Sequence, residues 1–185
     1  MAQIAPPPQG LVFYGLTADR EETSLIKEVT SRLENTWGEI LATMDPFFFS
    51  GLTDYYSKEM GDDLIKTFIL FKRPTTLENI SDLKKQSNAI ENLYVKGEKS
   101  CRRINIDPGI LTLYNFCLLT TKGYSHRVYL GCGVYAEVTL RAFKGKLRPL
   151  GWTYPDYKTR EGMSFLESGR QFLKTWLSDK KRSCT

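Results

Sequence analysis

Residues 127–150 alternate apolar and polar side chains in three segments that are separated by two short glycine-containing turns. The segments cover residues 127–130, 134–143 and 146–150, and the turns are Gly131-Cys132-Gly133 and Lys144-Gly145. Alternation with a period of two is typical of strands with one buried face, and short turns of this kind join antiparallel neighbours. The pattern therefore predicts an antiparallel β-meander in the second half of the chain.

The first half of the chain begins with a predicted strand and a predicted helix. Residues 11–15 form a nearly continuous apolar run, which is typical of a strand covered on both faces. Asp19 and Glu22 have the spacing of an N-cap and the third helical residue, and apolar residues then recur at four-residue steps. We therefore expect a central strand followed by a helix over residues 20–37.

Residues 47–71 are predicted to contribute further strands. Residues 47–49 are one short apolar piece. Residues 55–60 are a second piece, which turns through Gly61-Asp62-Asp63 into a strand over residues 64–71. The pieces 55–60 and 64–71 are therefore expected to form a hairpin.

A second helix and another strand complete the first half. Thr75 and Glu78 form a second capping box, and an apolar face with helical spacing continues to Gly97. Residues 102–106 then alternate again as a strand, which gives the order β-α-β-β-α-β of ferredoxin-like folds. The predicted class is α+β, with a ferredoxin-like first half extended by the meander and by a C-terminal helix that Thr159 caps.

The length of 185 residues fits one domain over residues 1–185. Within it we expect a flexible lead-in at 1–10 and a frayed basic tail at 179–185. Residues 111–121 fit either a strand or a helix, and the helix is the favoured interpretation. No apolar run is long enough for a membrane helix, and the cysteines form no C-x-x-C pair, so reduced structural thiols in a cytoplasmic protein are expected.

The acidic and basic residues are distributed unevenly along the chain. Residues 1–93 contain 9 Lys and Arg against 14 Asp and Glu, whereas residues 94–185 contain 17 against 7. Such asymmetry indicates a cationic surface that attracts an anionic partner. Nucleic acid is compatible with this charge, but the RNA-recognition signature is missing, so an anionic small molecule or nucleotide is the favoured partner.

Strand alternation predicts which polar side chains share a surface. In residues 102–107, Ile104 and Ile106 lie on one face with Arg102, and Arg103, Asn105 and Asp107 lie on the other. In the meander, polar side chains likewise lie opposite the apolar face. If these strands belong to one sheet, the outward faces bring together Arg103, Asn105, Asp107, Arg127, Glu137 and Arg141.

This surface has the composition of an anion site flanked by carboxylates. Arg103, Arg127 and the nearby Lys122 would bind a phosphate, with Asn105 beside them as a further ligand-binding residue. Asp107 and Glu137 would orient ligand hydroxyls or hold a divalent metal ion. Ordinary cross-strand ion pairs on a solvated face explain the same residues, with about 0.2–1 kcal/mol each.

His126, the only histidine of the chain, is the candidate proton shuttle. With Asp107 and Glu137 as further catalytic residues and metal ligands, it would serve a metal-dependent phosphoester hydrolase. The alternative is that His126 is a hydrogen-bonding turn residue. Asp107-Pro108-Gly109 is likewise predicted to form a turn in which the aspartate caps its own backbone.

Residues 152–157 form an aromatic-rich segment between the meander and the last helix. Tyr154 and Tyr157 are candidates for stacking on a base or a sugar. The alternative is that the segment packs over the edge of the sheet.

Several common catalytic motifs are missing from the sequence. There is no G-x-x-x-x-G-K-[ST] phosphate loop, no G-x-G-x-x-G after a strand, no H-E-x-x-H and no G-x-S-x-G. Conventional P-loop nucleotide hydrolysis, dinucleotide binding, zincin-type proteolysis and α/β-hydrolase chemistry are therefore not expected.

Several blocks of the chain, in the same order, resemble an uncharacterised bacterial family of about this length that is catalogued as a domain of unknown function. The blocks are residues 103–109 (RINIDPG), 121–122 (TK), 125–131 (SHRVYLG), 135–137 (YAE) and 152–157 (WTYPDY). Some relatives are labelled "GTP-binding protein", so the resemblance implies nucleotide binding. The chain has neither the phosphate loop nor the N-K-x-D motif of conventional GTPases.

The favoured function from the sequence is binding of an anionic, phosphorylated small molecule or nucleotide through the basic half. A metal-dependent phosphoester hydrolase is one alternative, in which a divalent ion is the cofactor. The other is a protein-interaction module whose acidic and basic halves pair between subunits.

Overall fold

A computed structural model describes residues 3, 5–52, 56–96 and 101–183 of the chain. The helices of this described part are α1 (Thr23–Trp37), α2 (Ser57–Met60), α3 (Ser81–Asn92) and α4 (Arg160–Ser183). Its strands are β1 (Leu11–Asp19), β2 (Ile40–Thr43), β3 (Phe47–Phe48), β4 (Leu64–Phe71), β5 (Val95–Lys96), β6 (Cys101–Arg102), β7 (Ile104–Leu111), β8 (Asn115–Thr120), β9 (Arg127–Gly131), β10 (Val134–Phe143) and β11 (Lys146–Pro149).

Nine of the described strands form one antiparallel sheet, which confirms the α+β class. The order is β11-β10-β8-β7-β1-β4-β2, with β3 beside β4 and β9 beside β10, while β5 and β6 form a separate pair. The central position of β1 and the meander β9-β10-β11 are both confirmed. β4 lies between β1 and β2 and is antiparallel to both.

Helices cover both faces of the sheet and create two hydrophobic cores. Helices α1 and α3 bury Leu25, Val29 and Leu83 against one face. Helix α4 buries Leu166 and Leu173 against the other. Strands β1 and β4 therefore contact apolar side chains on both faces, which explains their nearly continuous apolar sequences.

The predicted hairpin between residues 55–60 and 64–71 is wrong. Ser57–Met60 is a helix, and Tyr55 lies outside the described residues. Strand β4 pairs with β1 along one edge and with β2 and β3 along the other. Both edges of β4 are therefore occupied, and the partner that sequence reasoning missed is β2.

The predictions of a turn at Asp107-Pro108-Gly109 and of a helix at residues 111–121 are also wrong. These three residues lie inside β7, and β8 covers Asn115–Thr120. Strand β8 lies between β7 and β10 and pairs with both. Hydrogen bonding along both edges outweighs a local sequence pattern that fits a helix equally well.

The sheet forks between β7 and β8. The two strands pair only from Gly109 to Leu111, and the earlier residues of β7 have β1 as their one strand neighbour in the described chain. At Ile106, the N–H donates to Glu91 Oε1 over 2.7 Å and the carbonyl accepts from Lys84 Nζ over 3.0 Å. Pro108, two residues further, faces the same side and has no N–H to leave unpaired.

Gly109 lies where β7 and β8 come together, and we expect Gly109→Ala to destabilise the protein. A Cβ atom at this position would lie 2.7 Å from the backbone oxygen of Cys117 and 3.0 Å from the Phe116 ring. The expected loss in the free energy of unfolding is about 1–3 kcal/mol, measured by urea denaturation. Gly151→Ala is the control, because a Cβ there has no neighbour within 4 Å. Equal stability of the two variants would contradict this close approach.

A β-bulge in β10 reverses the faces of its side chains. The register shifts between Val138 and Leu140, so Val134 packs in the core beneath α1 and α3 while Leu140 packs in the core beneath α4. A single apolar face along this strand was therefore a wrong prediction. Val138 is exposed, and Glu137, which was expected to point outward, is buried.

The structure describes parts of the segments that were predicted to be a flexible lead-in and a frayed tail, and their flexibility stays a prediction. Gly10 pairs with Thr75, and α4 continues to Ser183, through most of the segment that was predicted to fray. Residues 184 and 185 lie outside the described part. No helix of the described residues is both long enough and apolar enough to span a membrane.

Candidate functional site

A cleft of about 650 Å³ lies at the fork between β7 and β8. Its walls come from both strands, from α3, from the loop before β9 and from the segment that precedes α4. Eight of the predicted site residues line it, although they come from five different parts of the chain: Asn105, Asp107, Lys122, His126, Arg127, Glu137, Tyr154 and Tyr157.

Arg103 and Arg141 do not line this cleft. Arg103 lies between β6 and β7, and its guanidinium binds Glu22 through two hydrogen bonds of 2.8 and 2.5 Å. Arg141 is exposed and packs beside the Phe143 ring, 5.3 Å from its centre. The expectation that both arginines share one surface with Asp107 is therefore wrong, because Arg103 precedes the first residue of β7 and Arg141 follows the bulge of β10.

The floor of the cleft contains a buried ion triad of Lys66, Asp107 and Asp156. Lys66 Nζ lies 3.1 Å from Asp107 Oδ2 and 2.8 Å from Asp156 Oδ2. The side chains of Lys66 and Asp156 are 3% and 2% exposed, whereas that of Asp107 is 25% exposed. Asp107 is therefore the member of the triad that faces the cleft.

The triad strongly changes the ionisation of its members. Burial by itself would lower the pKa of Lys66, but the Asp156 and Asp107 carboxylates more than offset this and hold it well above the usual value. Burial would raise the pKa of Asp107, yet the charges of Lys66 and Lys84 and the amide of Asn105 bring it below its usual value. Both Lys66 and Asp107 are therefore charged at neutral pH.

Aromatic rings surround the Lys66 ammonium, and a glycine on the neighbouring strand leaves room for its side chain. Its ammonium lies 4.7 Å from the centre of the Phe49 ring and 5.2 Å from that of Tyr157. Gly15 is the strand partner of Asp107, and a Cβ there would lie 3.0 Å from Lys66 Cε. Sequence reasoning missed Lys66, although a lysine within the apolar run of a central strand is itself a signal of a buried charge.

The upper wall contains a second cluster, formed by Glu137, Arg127 and His126. Glu137 Oε2 accepts a hydrogen bond of 2.9 Å from Arg127 Nε and lies 3.0 Å from His126 Nε2. The other two guanidinium nitrogens of Arg127 donate to the Lys122 carbonyl and the Tyr154 hydroxyl, both over 2.9 Å. His126 therefore does more than form a turn, because its ring contacts a buried carboxylate.

Aromatic rings at the mouth of the cleft hold this second cluster. The Trp152 ring stacks on His126 with a centroid distance of 5.0 Å and an interplanar angle of 20°. The Trp152 indole N–H donates to the Val138 carbonyl over 2.9 Å. The Arg127 guanidinium lies 5.0 Å from the centre of the Tyr124 ring. The aromatic segment thus lines the cleft, although Tyr157 is buried and stacks on Phe68, and stacking of Tyr154 or Tyr157 on a base or a sugar stays a prediction.

A third group of ion pairs comes from the wall opposite. Arg102 donates to Glu59 through Nε and Nη2 over 2.7 and 2.8 Å, and through Nη1 to Glu91 and to Asn105 Oδ1 over 3.2 and 3.0 Å. The hydrogen bond to Glu59 is the main cause that raises the pKa of Arg102. Asn105 is thereby fixed in the wall beside Asp107.

Four buried polar atoms of residues that line the cleft lack a hydrogen-bond partner among the described residues. They are Asn105 Nδ2, Glu137 Oε1, the Tyr157 hydroxyl and Asp156 Oδ2, the last of which is ion-paired with Lys66, and all four side chains are buried. Burial is also the main cause that raises the pKa of Tyr157 well above its usual value. A buried polar atom without a partner costs about 1–3 kcal/mol, so such atoms indicate where a ligand or an ordered water binds.

The carboxylates that were predicted to bind a metal ion are already paired with cations. Asp107 binds Lys66, and Glu137 binds Arg127. No group of three or more His, Cys, Asp or Glu side chains in the described part of the chain is placed to hold a metal ion. A metal bound by Asp107 and Glu137, and catalysis by these residues with His126, stay predictions.

Comparison with known proteins shows the family of the chain. Neither the curated proteins nor the solved structures contain a match. The model of one family, described as a domain of unknown function (DUF4416), matches residues 8–172, a span that includes every residue lining the cleft. Because this match covers most of the sequence, the protein belongs to the DUF4416 family.

Proposed function

We propose that the cleft binds a small anionic molecule, either a phosphorylated metabolite or a nucleotide, with its anionic group at Lys122 and Arg127. Partial burial and the nearby charge of Arg127 lower the pKa of Lys122. Two cations that repel each other in this way favour an anion between them. The hydrogen bonds of Arg127 use one N–H on each nitrogen, so two of its five N–H groups have no partner among the described residues.

The size and the rim of the cleft fit a small ligand. A volume of about 650 Å³ lies within the usual range of roughly 300–1,000 Å³ for small-molecule sites. The rings of Tyr124, Trp152 and Tyr154 are partly exposed at the mouth and offer flat surfaces for a base or a sugar. The convergence of these rings with Lys122 and Arg127 in one cleft is the observation that carries the proposal.

The hydrogen bonds of β7 and the ion pairs of the basic half argue against the protein-interaction alternative. A peptide strand inserted into the fork would need backbone partners on β7, but the groups of Ile106 are taken and Pro108 has no N–H. Cations of the basic half also pair within the chain, since Arg102 binds Glu59 and Arg103 binds Glu22. These charges are already compensated, which weakens pairing of the two halves between subunits.

Binding of anions measured by calorimetry and thermal shift tests the proposal. We expect inorganic phosphate, pyrophosphate or a nucleotide to raise the melting temperature of the protein. Lys122→Met should weaken the affinity by about tenfold or more, because it removes one charge-assisted contact. Lys146→Met is the matched control, since Lys146 is an exposed lysine outside the cleft. Absence of binding, or an equal loss in both variants, would contradict the proposal.

A further inference from the structure

We infer that the ligand also carries a hydrogen-bond donor, a hydroxyl or an ammonium group, which binds at the floor of the cleft. Phosphorylated polyols, sugars and amines share this chemistry. The inference rests on the proposed function, because it adds a second contact to an anionic ligand that is held at Lys122 and Arg127.

The formal charges of the cleft are separated between its floor and its rim. The triad at the floor has one cation, Lys66, for two carboxylates, Asp107 and Asp156, and is therefore net negative. In the upper wall, Arg127 compensates Glu137. The floor repels an anionic group, so the anion belongs at the rim beside Lys122.

The wall opposite does not change this charge distribution. Its cations, Arg102 and Lys84, face the carboxylates of Glu59 and Glu91 at 2.7–3.7 Å. Equal numbers of cations and carboxylates leave this wall formally neutral. The negative charge of the floor is therefore not neutralised from the side of α3.

Two of the four unpartnered atoms, Glu137 Oε1 and Asp156 Oδ2, are carboxylate oxygens that only accept, while Asn105 Nδ2 only donates. A carboxylate oxygen such as Glu137 Oε1 accepts hydrogen bonds but donates none, so only a donor satisfies it. Asp107 also offers a carboxylate at the floor, and the Tyr157 hydroxyl, which can donate or accept, lacks a partner among the described residues. A simple anion at the rim would leave all of these groups as they are.

Three phosphate esters with the same anionic group test the inference. Methyl phosphate has no donor beyond its phosphate, glycerol 3-phosphate adds hydroxyls, and O-phosphoethanolamine adds an ammonium. We expect at least one of the latter two to bind about tenfold more tightly than methyl phosphate in calorimetric titrations. The two donor-bearing esters also decide between a hydroxyl and an ammonium.

Two conservative variants test whether the difference in affinity between the esters depends on residues at the floor of the cleft. Asp107→Asn keeps the shape of the side chain but removes its charge, and Tyr157→Phe removes only the hydroxyl. We expect both to reduce the advantage of the donor-bearing ester, measured in each variant as the ratio of its affinity to that of methyl phosphate. Tyr157→Phe keeps the test decisive if Asp107→Asn does not fold.

The outcomes separate the inference from the proposed function. Equal affinity for all three esters in the wild type, or an unchanged advantage in both variants, overturns the inference and leaves anion binding intact. No binding of any ester overturns the proposed function itself. The NMR signals of His126, the only histidine, report whether the bound ester lies in the cleft.

Discussion

Lys66→Met is expected to lower the free energy of unfolding by about 3–5 kcal/mol at neutral pH, because it leaves buried carboxylates without their cation. In the wild type, the Lys66 ammonium lies within 3.1 Å of Asp107 and 2.8 Å of Asp156. Methionine fills a similar volume, so the loss reports the missing charge more than a cavity. For a domain of this length the melting temperature should fall by roughly 10 °C.

The pH dependence of this loss has a definite sign. The pKa of Asp107 is lowered in the folded protein, so its contribution to stability is present above its unfolded pKa and is lost as the pH falls through the folded pKa. The pKa of Lys66 is raised, so its contribution persists below its unfolded pKa and is lost at strongly alkaline pH. The difference between Lys66→Met and the wild type should therefore be largest near neutral pH and shrink below about pH 4.

Urea denaturation of both proteins over a range of pH measures this difference. Lys72→Met is the control, because Lys72 pairs with Glu39 at 2.6 Å while both side chains remain about half exposed or more. Loss of such a surface pair should cost about 0–1 kcal/mol. A cost for Lys66→Met as small as that of the control would show that the triad does not stabilise the fold.

The pair of Glu137 and Arg127 should show strong energetic coupling. Their atoms are 2.9 Å apart, and the two side chains are 2% and 6% exposed. Glu137→Leu alone leaves a buried arginine, and Arg127→Met alone leaves a buried carboxylate, so each is expected to cost about 3–5 kcal/mol. The double variant removes both charges and should cost clearly less than the sum of the two single variants.

A double-mutant cycle on urea denaturation midpoints measures this coupling. The exposed pair of Arg20 and Asp63, at 3.2 Å, supplies a control cycle in which a coupling of about 0–1 kcal/mol is expected. We also expect the double variant to stay folded and to lose anion binding, because Arg127 is part of the proposed site. Additive costs at Glu137 and Arg127 would contradict a buried ion pair.

The strands that were predicted correctly are those whose sequence of apolar and polar residues follows directly from which of their faces are buried. Strand β1 is nearly continuously apolar because helices cover both of its faces, and the meander alternates because short turns keep its strands adjacent. Residues 111–121 had no such unique pattern, and pairing of β8 with two neighbours decided their conformation. A bulge such as the one at Val138 shifts the alternation without a clear mark in the sequence.

The sequence predicted which residues line the candidate site better than it predicted which of them pair with each other. Eight predicted residues line one cleft, but Arg103 does not, because it binds Glu22 from an entirely different part of the chain. Lys66 was missed although its place in an apolar run signals a buried charge, and Asp156 was missed because its role depends on contact between the segment before α4 and β4. The uneven charge along the chain does not by itself indicate a cationic surface, because cations of the basic half bind carboxylates of the acidic half.

The sequence by itself determined the α+β class, the central strand, the meander and the polar residue types of the site. These follow from local spacing, which records how each segment is buried. Only the tertiary structure decided that β7 and β8 diverge at Gly109, that Pro108 continues a strand, and that Lys66 compensates Asp107. These features depend on contacts between segments far apart in the chain, where hydrogen bonding and charge compensation outweigh local preference.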